Sequence, residues 1–128
     1  MRLLLDTHAV LWWFLGDVSL SAPARGAIAD PGNDTFVSAA SAWEIATKYR
    51  IGKLPRAVFL MADFAAMVAE QRFGELPISI RHGHLAGSLP GIHKDPFDRL
   101  LIAQAITDDM TIVSNEALFG AYGIARLW

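Results

Sequence analysis

Short apolar runs alternate along this chain with segments of helical period, and that alternation constrains the fold more than any other feature. Leu3-Leu4-Leu5, Thr35-Phe36-Val37, Leu76 to Ile80, Thr111-Ile112-Val113 and Ile124 to Trp128 read as strands, the third with Pro77 at its start. Helices are predicted from His8 to Leu15, from the Ser21-Ala22-Pro23 cap to the stop at Asp30-Pro31-Gly32, from Ser38 to Arg50, and from about Ala57 to Arg72. A short helix or turn over Arg81 to Leu89, a helix opened by Asp95-Pro96 and running to about Thr107, and a helical turn over Glu116 to Ala121 complete the pattern. Strands separated in this way are joined by crossovers rather than hairpins. The expected fold is therefore α/β, with a central, mostly parallel sheet of four to five strands covered on both faces.

The chain has 128 residues, room for a single domain over 1–128. A domain of this size buries roughly two-thirds of its unfolded surface. Hydrophobic residues make up 53% and charged residues 19%, which excludes a disordered or collagen-like chain. No cysteine is present, which removes disulfides, thiolate zinc sites and cysteine nucleophiles together and suits a reducing cytoplasm. Eleven Lys and Arg against 13 Asp and Glu leave a net charge of −2, so a footprint for nucleic acid has to be local. The longest apolar run, Ala9 to Leu15, is far short of the roughly 20 residues of a membrane span. The opening leucines break at Asp6, too soon for a signal peptide. A cytoplasmic protein with no membrane partner is expected.

Four acids stand apart from the solvated charges. Asp6 follows the three leucines of the first strand; Glu44 falls in the first turn of the helix after the second strand. Asp98 lies in the first turn of the Asp95-Pro96 helix, and Glu116 just past the fourth strand. In an open parallel sheet, ligands bind outside the carboxyl ends of the strands, where the strand order reverses. Each acid also has a structural role open to it. Ser41-Ala42-Trp43-Glu44 has the form of a capping box, and Asp95-Pro96-Phe97-Asp98 that of a helix start. Asp6 can cap the next helix, and Glu116 can be a loop acid. Taken together the caps explain less. At an effective dielectric of about 20, each pair of carboxylates about 5 Å apart costs roughly 3 kcal/mol. A divalent cation turns that repulsion into binding energy, and oxygen-only ligands suit Mg²⁺ or Mn²⁺.

Other catalytic arrangements are missing. The sequence contains no Gly-x-Ser-x-Gly elbow, Gly-x-Gly-x-x-Gly fingerprint or phosphate loop. His82-Gly83-His84 places two imidazoles two residues apart, which cannot share a helix face. His8 and His93 lie beside the acids, where position alone supports an indirect role. Lys48, Arg50, Lys53 and Arg56 form the one local basic segment, either a solvated face or a grip on the phosphates flanking a cut site.

The residues around these acids resemble those of a known family. Leu3-Leu4-Leu5-Asp6-Thr7-His8-Ala9-Val10-Leu11-Trp12-Trp13 is similar to the opening of PIN-domain ribonucleases, in particular the VapC-type toxins of bacterial type II toxin–antitoxin systems. Val37-Ser38-Ala39-Ala40-Ser41-Ala42-Trp43-Glu44-Ile45-Ala46 resembles their second motif, and Asp95-Pro96-Phe97-Asp98-Arg99-Leu100-Leu101-Ile102-Ala103-Gln104-Ala105 their third. Ile112-Val113-Ser114-Asn115-Glu116, followed by Tyr122-Gly123-Ile124, resembles the fourth. The motifs run in family order along nearly the whole chain.

The resemblance implies a three-layer α/β/α PIN-like domain. It implies a Mg²⁺- or Mn²⁺-dependent endoribonuclease that hydrolyses phosphodiester bonds in RNA, held inactive by a cognate antitoxin protein. On it, Asp6 and Asp98 are metal ligands and Glu44 completes the group directly or through water. Asp95 is an additional acid that touches the metal or caps its helix. Ser114 and Arg99 stand beside the site, Arg99 pairing with a carboxylate, meeting the scissile phosphate, or lying solvated on its helix. Glu116 departs from the family, which has Asp there. A homodimer is implied as well, and the apolar stretch from Val10 to Leu15 can serve either that interface or the core. Two other classes compete. A catalytically degenerate PIN domain that binds RNA or protein is supported by Glu116 alone. A flavodoxin-like phosphotransfer domain would need a phosphoacceptor Asp after the third strand and a Lys after the last, an arrangement this sequence lacks.

Overall fold

A computed structural model describes residues 1–91 and 95–128, so His93 lies outside the described residues. Five strands, β1 (Arg2–Leu5), β2 (Asp34–Ser38), β3 (Gly74–Leu76), β4 (Thr111–Val113) and β5 (Arg126–Leu127), form one sheet in the order β3-β2-β1-β4-β5. Every pairing is parallel. The chain therefore winds outward in one direction from β1 to β3, returns, and winds out the other way through β4 and β5. The reversal lies between β1 and β4, where Leu5 pairs with Val113. In a sheet of this kind the crevice beyond the carboxyl ends of those two strands is where a ligand fits.

Side chains alternate across β1. Leu3 and Leu5 enter one core with Val113 and helices α1 (Thr7–Leu15) and α2 (Ala22–Ala29); Leu4 enters the other with Ile112 and helix α6 (Pro96–Asp108). All three leucines are fully buried. A strand buried on both faces needs a continuous apolar run, which Leu3-Leu4-Leu5 supplies. The stretch 10–15 goes largely to the core: Val10 and Leu11 are buried, and Trp12, Trp13 and Phe14 pack half-buried against the same cluster. The architecture is the three-layer α/β/α arrangement expected, with five parallel strands. Among the described residues, no helix is long and apolar enough to cross a membrane.

Three boundaries differ from expectation. Helix α3 (Ala39–Arg50) is capped by Ser38, whose Oγ accepts from the Ala40 N–H at 3.0 Å, so the Ser41–Glu44 capping box does not form and Glu44 falls in the second turn. The segment 57–72 is broken: a 3-10 helix covers Pro55–Leu60, and α4 (Phe64–Glu70) starts afresh at Asp63, whose Oδ1 caps Ala66. Strand β3 sits earlier than 76–80, because Gly74 pairs with Phe36, and a Cβ at Gly74 would lie 2.6 Å from the Phe36 ring. The residues after Leu76 lead instead into α5 (Ile80–Ser88), capped by Ser79.

Leu4 is central to the sheet and to the core beneath α6. Leu4→Ala is expected to lower unfolding free energy by about 2–5 kcal/mol, measured by denaturant titration. A loss under about 1 kcal/mol would mean that this core can collapse around the gap.

Candidate active site

Asp6 terminates β1 and caps α1. Its Oδ1 accepts from the Ala9 N–H at 2.8 Å, its own N–H donates to the Val113 carbonyl, and the Ser114 hydroxyl bonds its carboxylate. Ser114 is fully buried at the end of β4, and its Oγ accepts the Glu116 N–H at 2.9 Å. A chain of contacts thus runs from the Glu116 backbone through Ser114 to Asp6. Asp6 is itself buried. Burial pushes its carboxyl above the usual range, while Ser114, the Ala9 N–H and His8 pull it back down.

Asp95 caps α6, its Oδ1 accepting from the N–H groups of Phe97 at 2.9 Å and Asp98 at 3.2 Å. Capping fixes the first turn and places Asp98 beside Asp95. Glu44 arrives from the second turn of α3, buried, with both carboxylate oxygens engaged. Oε1 accepts from the Thr7 hydroxyl at 2.5 Å, which also bonds Ser41, and Oε2 pairs with Lys48 Nζ. Thr7, which follows Asp6 directly, thereby couples the first motif to the second. Glu116 is exposed and precedes a 3-10 helix over Ala117–Tyr122.

These elements enclose a cavity of about 340 Å³, lined among others by Asp6, Glu44, Lys48, Asp95, Asp98 and Glu116. All five expected acids therefore face one space. The electrostatic result is plainest at Asp98, whose pKa is pushed up to about 7 by burial first and then by Asp95, Glu44, Asp6 and Glu116. The same acids raise the pKa of Lys48, here favouring the charged form. Burial disfavours its charge, but Glu44, Asp95 and Asp98 outweigh that and raise its pKa. The ammonium is thus firmly charged inside an anionic cavity.

The donor set is carboxylate oxygen, desolvated and mutually repelled, which is the chemistry that a hard divalent ion relieves. The residues present fit Mg²⁺ or Mn²⁺. Among the described residues, however, no three acids stand as a ready-made metal-binding group. Of the acids lining the cavity, Glu44 has both oxygens engaged, by Thr7 and Lys48.

The other sequence candidates fall elsewhere. Arg99 donates from Nε to the Ala86 carbonyl at 2.9 Å and from its terminal nitrogen to the Leu89 carbonyl, tying α6 to the end of α5. Of the basic segment, only Lys48 enters the cavity. Arg50 and Lys53 are exposed, and Arg56 pairs with Asp17 at 3.2 Å. His82 is buried, its Nδ1 accepting from the Ser79 N–H at 3.0 Å and its Nε2 bonded to Asp108 at 2.8 Å, so it works as a structural pin. Thr7 is a site contact that no sequence feature singled out, and Lys48, expected among the basic residues that grip phosphate, instead contacts Glu44. The spacing of Glu44 and Lys48 was the available signal, since a Glu four residues ahead of a Lys on a helix forms the favoured pair.

Comparison with known proteins bears on the family and the fold. The family model described as the PIN domain matches residues 3–124. Ribonuclease VapC16 from Mycobacterium tuberculosis is 42% identical over 64 residues, which is 48% of this chain and 43% of that protein. The chain thus spans under half the length of that curated relative. Among solved structures, that of VapBC2 from Rickettsia felis bound to a promoter DNA fragment superposes with a TM-score of 0.71 at 16% identity, covering 98% of this chain and 97% of that one. FitAcB from Neisseria gonorrhoeae gives 0.60 at 16% identity, covering 97% and 95%.

The raised Asp98 pKa has a consequence for stability in the presence of a chelator. Below about pH 4 the carboxyl is protonated both folded and unfolded and costs nothing. From its ordinary value of 3.8 up to about 7 the unfolded chain ionises while the folded one holds its proton, so stability falls as pH rises, and the loss is complete above about 7. Thermal melts between pH 4 and 8 in EDTA should show a smaller fall on this limb for Asp98→Asn than for the parent. Equal falls would contradict the electrostatic assignment.

Proposed function

This chain belongs to the PIN-domain family, and from that premise we propose that it is a metal-dependent endoribonuclease, a VapC-type toxin neutralised by a cognate antitoxin in the cytoplasm. The observation that carries the reading is the convergence of Asp6, Glu44, Asp98, Asp95 and Glu116 on one cavity at the β1/β4 edge. The name of the partial relative, a ribonuclease, supports the activity. Likeness to chains in the VapBC2 and FitAcB structures supports the toxin fold, and with it the antitoxin. A single domain and a homodimer belong to the same reading, on the sequence resemblance.

Mg²⁺ or Mn²⁺ held by Asp6 and Asp98, with Glu44 completing the set, would supply charge neutralisation at phosphorus and make water a stronger acid. The protein's own groups do the rest. Asp6 is immobilised by the Ala9 N–H and Ser114, so its carboxylate is aimed without further ordering. Asp95 fixes the turn that carries Asp98. Glu44, held in place by Thr7, can accept the proton of the attacking water. Glu116, at the exposed rim, can orient that water from the other side. Arg50, Lys53 and Arg56 lie beyond the cavity on and after α3, where they can hold flanking phosphates.

The test is cleavage of RNA by the purified protein with Mg²⁺, with RNA ends sequenced after brief expression in cells to identify the substrate. Asp6→Asn and Asp98→Asn should each abolish cleavage while keeping the fold, and Asp98→Asn should melt higher than the parent in EDTA at pH 7.5. Glu116→Gln should lose about 10- to 100-fold in activity. Full activity in either Asn variant would overturn the site. RNA binding without cleavage by the parent protein would favour the degenerate PIN domain.

A further inference from the structure

Lys48 places an ammonium inside the cavity that the acids line. Its Nζ pairs with Glu44 Oε2 one helical turn away, and it lines the same cavity as Asp95 and Asp98. The Glu44 side chain is only 5% exposed, against 33% for Lys48. A carboxylate so buried is strongly destabilising without a partner. Thr7 supplies one neutral hydrogen bond to Oε1, so the compensating charge comes from Lys48. The same pairing occupies the oxygen that Glu44 would turn toward a divalent ion.

We propose that Lys48 is a resident counter-cation that holds Glu44 in the metal-free protein and must yield it when a divalent ion enters. Lys48 is thus a positioning residue that sets how tightly the site loads, and the inference rests on the metal-dependent reading above. The geometry permits the exchange. Lys48 carries its charge on a flexible four-carbon stem and is already a third exposed, so it can withdraw toward solvent. Thr7 meanwhile keeps its grip on the other oxygen, so Glu44 stays in place as its partner changes. The ammonium and the incoming ion have like charge and share the same acids, so the two compete. In the metal-free protein Lys48 reduces the repulsion among the carboxylates; during loading it opposes the ion.

The test is Mn²⁺ binding at pH 7.5, followed by loss of the free-ion electron paramagnetic resonance signal, with thermal melts of the same proteins in EDTA. Lys48→Met keeps an unbranched apolar stem, one atom shorter, and removes the charge. It should bind Mn²⁺ about tenfold more tightly than the parent, yet melt lower in EDTA. Lys48→Arg keeps a permanent charge with a fork that grips a carboxylate, and should bind Mn²⁺ no more tightly than the parent. Unchanged or weaker Mn²⁺ binding by Lys48→Met would overturn the proposal. If Lys48→Met does not fold, Lys48→Arg decides, and tighter binding by it would overturn the proposal. A parent protein that binds no Mn²⁺ would overturn the metal-site reading and this inference together, whereas a parent that binds and a Met variant that does not differ would remove this inference alone.

Discussion

Mutual repulsion among carboxylates withdrawn from water is the constraint on which the rest of the structure turns. Asp6, Glu44, Asp95, Asp98 and Glu116 line one cavity, and burial, with the repulsion added to it, holds a proton on Asp98 to about pH 7. Such a cluster persists because three of its acids, Asp6, Asp95 and Glu44, are tied to groups that favour negative charge. Asp6 and Asp95 cap α1 and α6, so backbone N–H groups and the positive ends of two helices point at the cluster. Ser114 braces Asp6 from behind. Glu44 lacks a helix end and takes Thr7 and Lys48 instead.

The sheet order explains why these supports meet. Leu5 pairs with Val37 on one side and Val113 on the other, so Ser38, Asp6 and Ser114 leave three adjacent strands at the same level. Ser38 caps α3 and is bonded at 2.5 Å to the fully buried Gln104 of α6, which fixes the helix carrying Glu44 against the one carrying Asp98. Of the polar residues at these strand ends, Asp6 lines the cavity, while Ser38 and Ser114 fasten the layers behind it. The energetic conflict is local, and a large apolar core on each face of β1 carries it.

Much of this was legible in the chain. Three leucines followed by an acid specify a strand buried on both faces and an acid at its carboxyl end, and the structure places Leu3 to Asp6 so. Asp95-Pro96 announced α6 because a cap and an N1 proline act locally. The start of α3 was ambiguous because Ser38 and Ser41 are both competent caps; the choice depends on Ser38 leaving β2 beside Gln104, a contact across 66 residues. Asp63 is a competent cap that an otherwise helical pattern conceals. Strand β3 was displaced because its position is set by the Phe36–Gly74 pairing rather than by its own apolar pattern. Lys48 looked like one more member of a basic surface segment. Its placement in the cavity follows from the phase of α3, which the Ser38 cap sets.

The central claim is that these acids are arranged around a divalent ion rather than serving only as helix caps. Crystals soaked in Mn²⁺ and measured at its absorption edge test it directly. The account predicts an anomalous peak touching the Asp6 and Asp98 carboxylates, with Lys48 moved off Glu44. An anomalous map empty at the β1/β4 edge, with Lys48 still paired to Glu44 in saturating Mn²⁺, would contradict it.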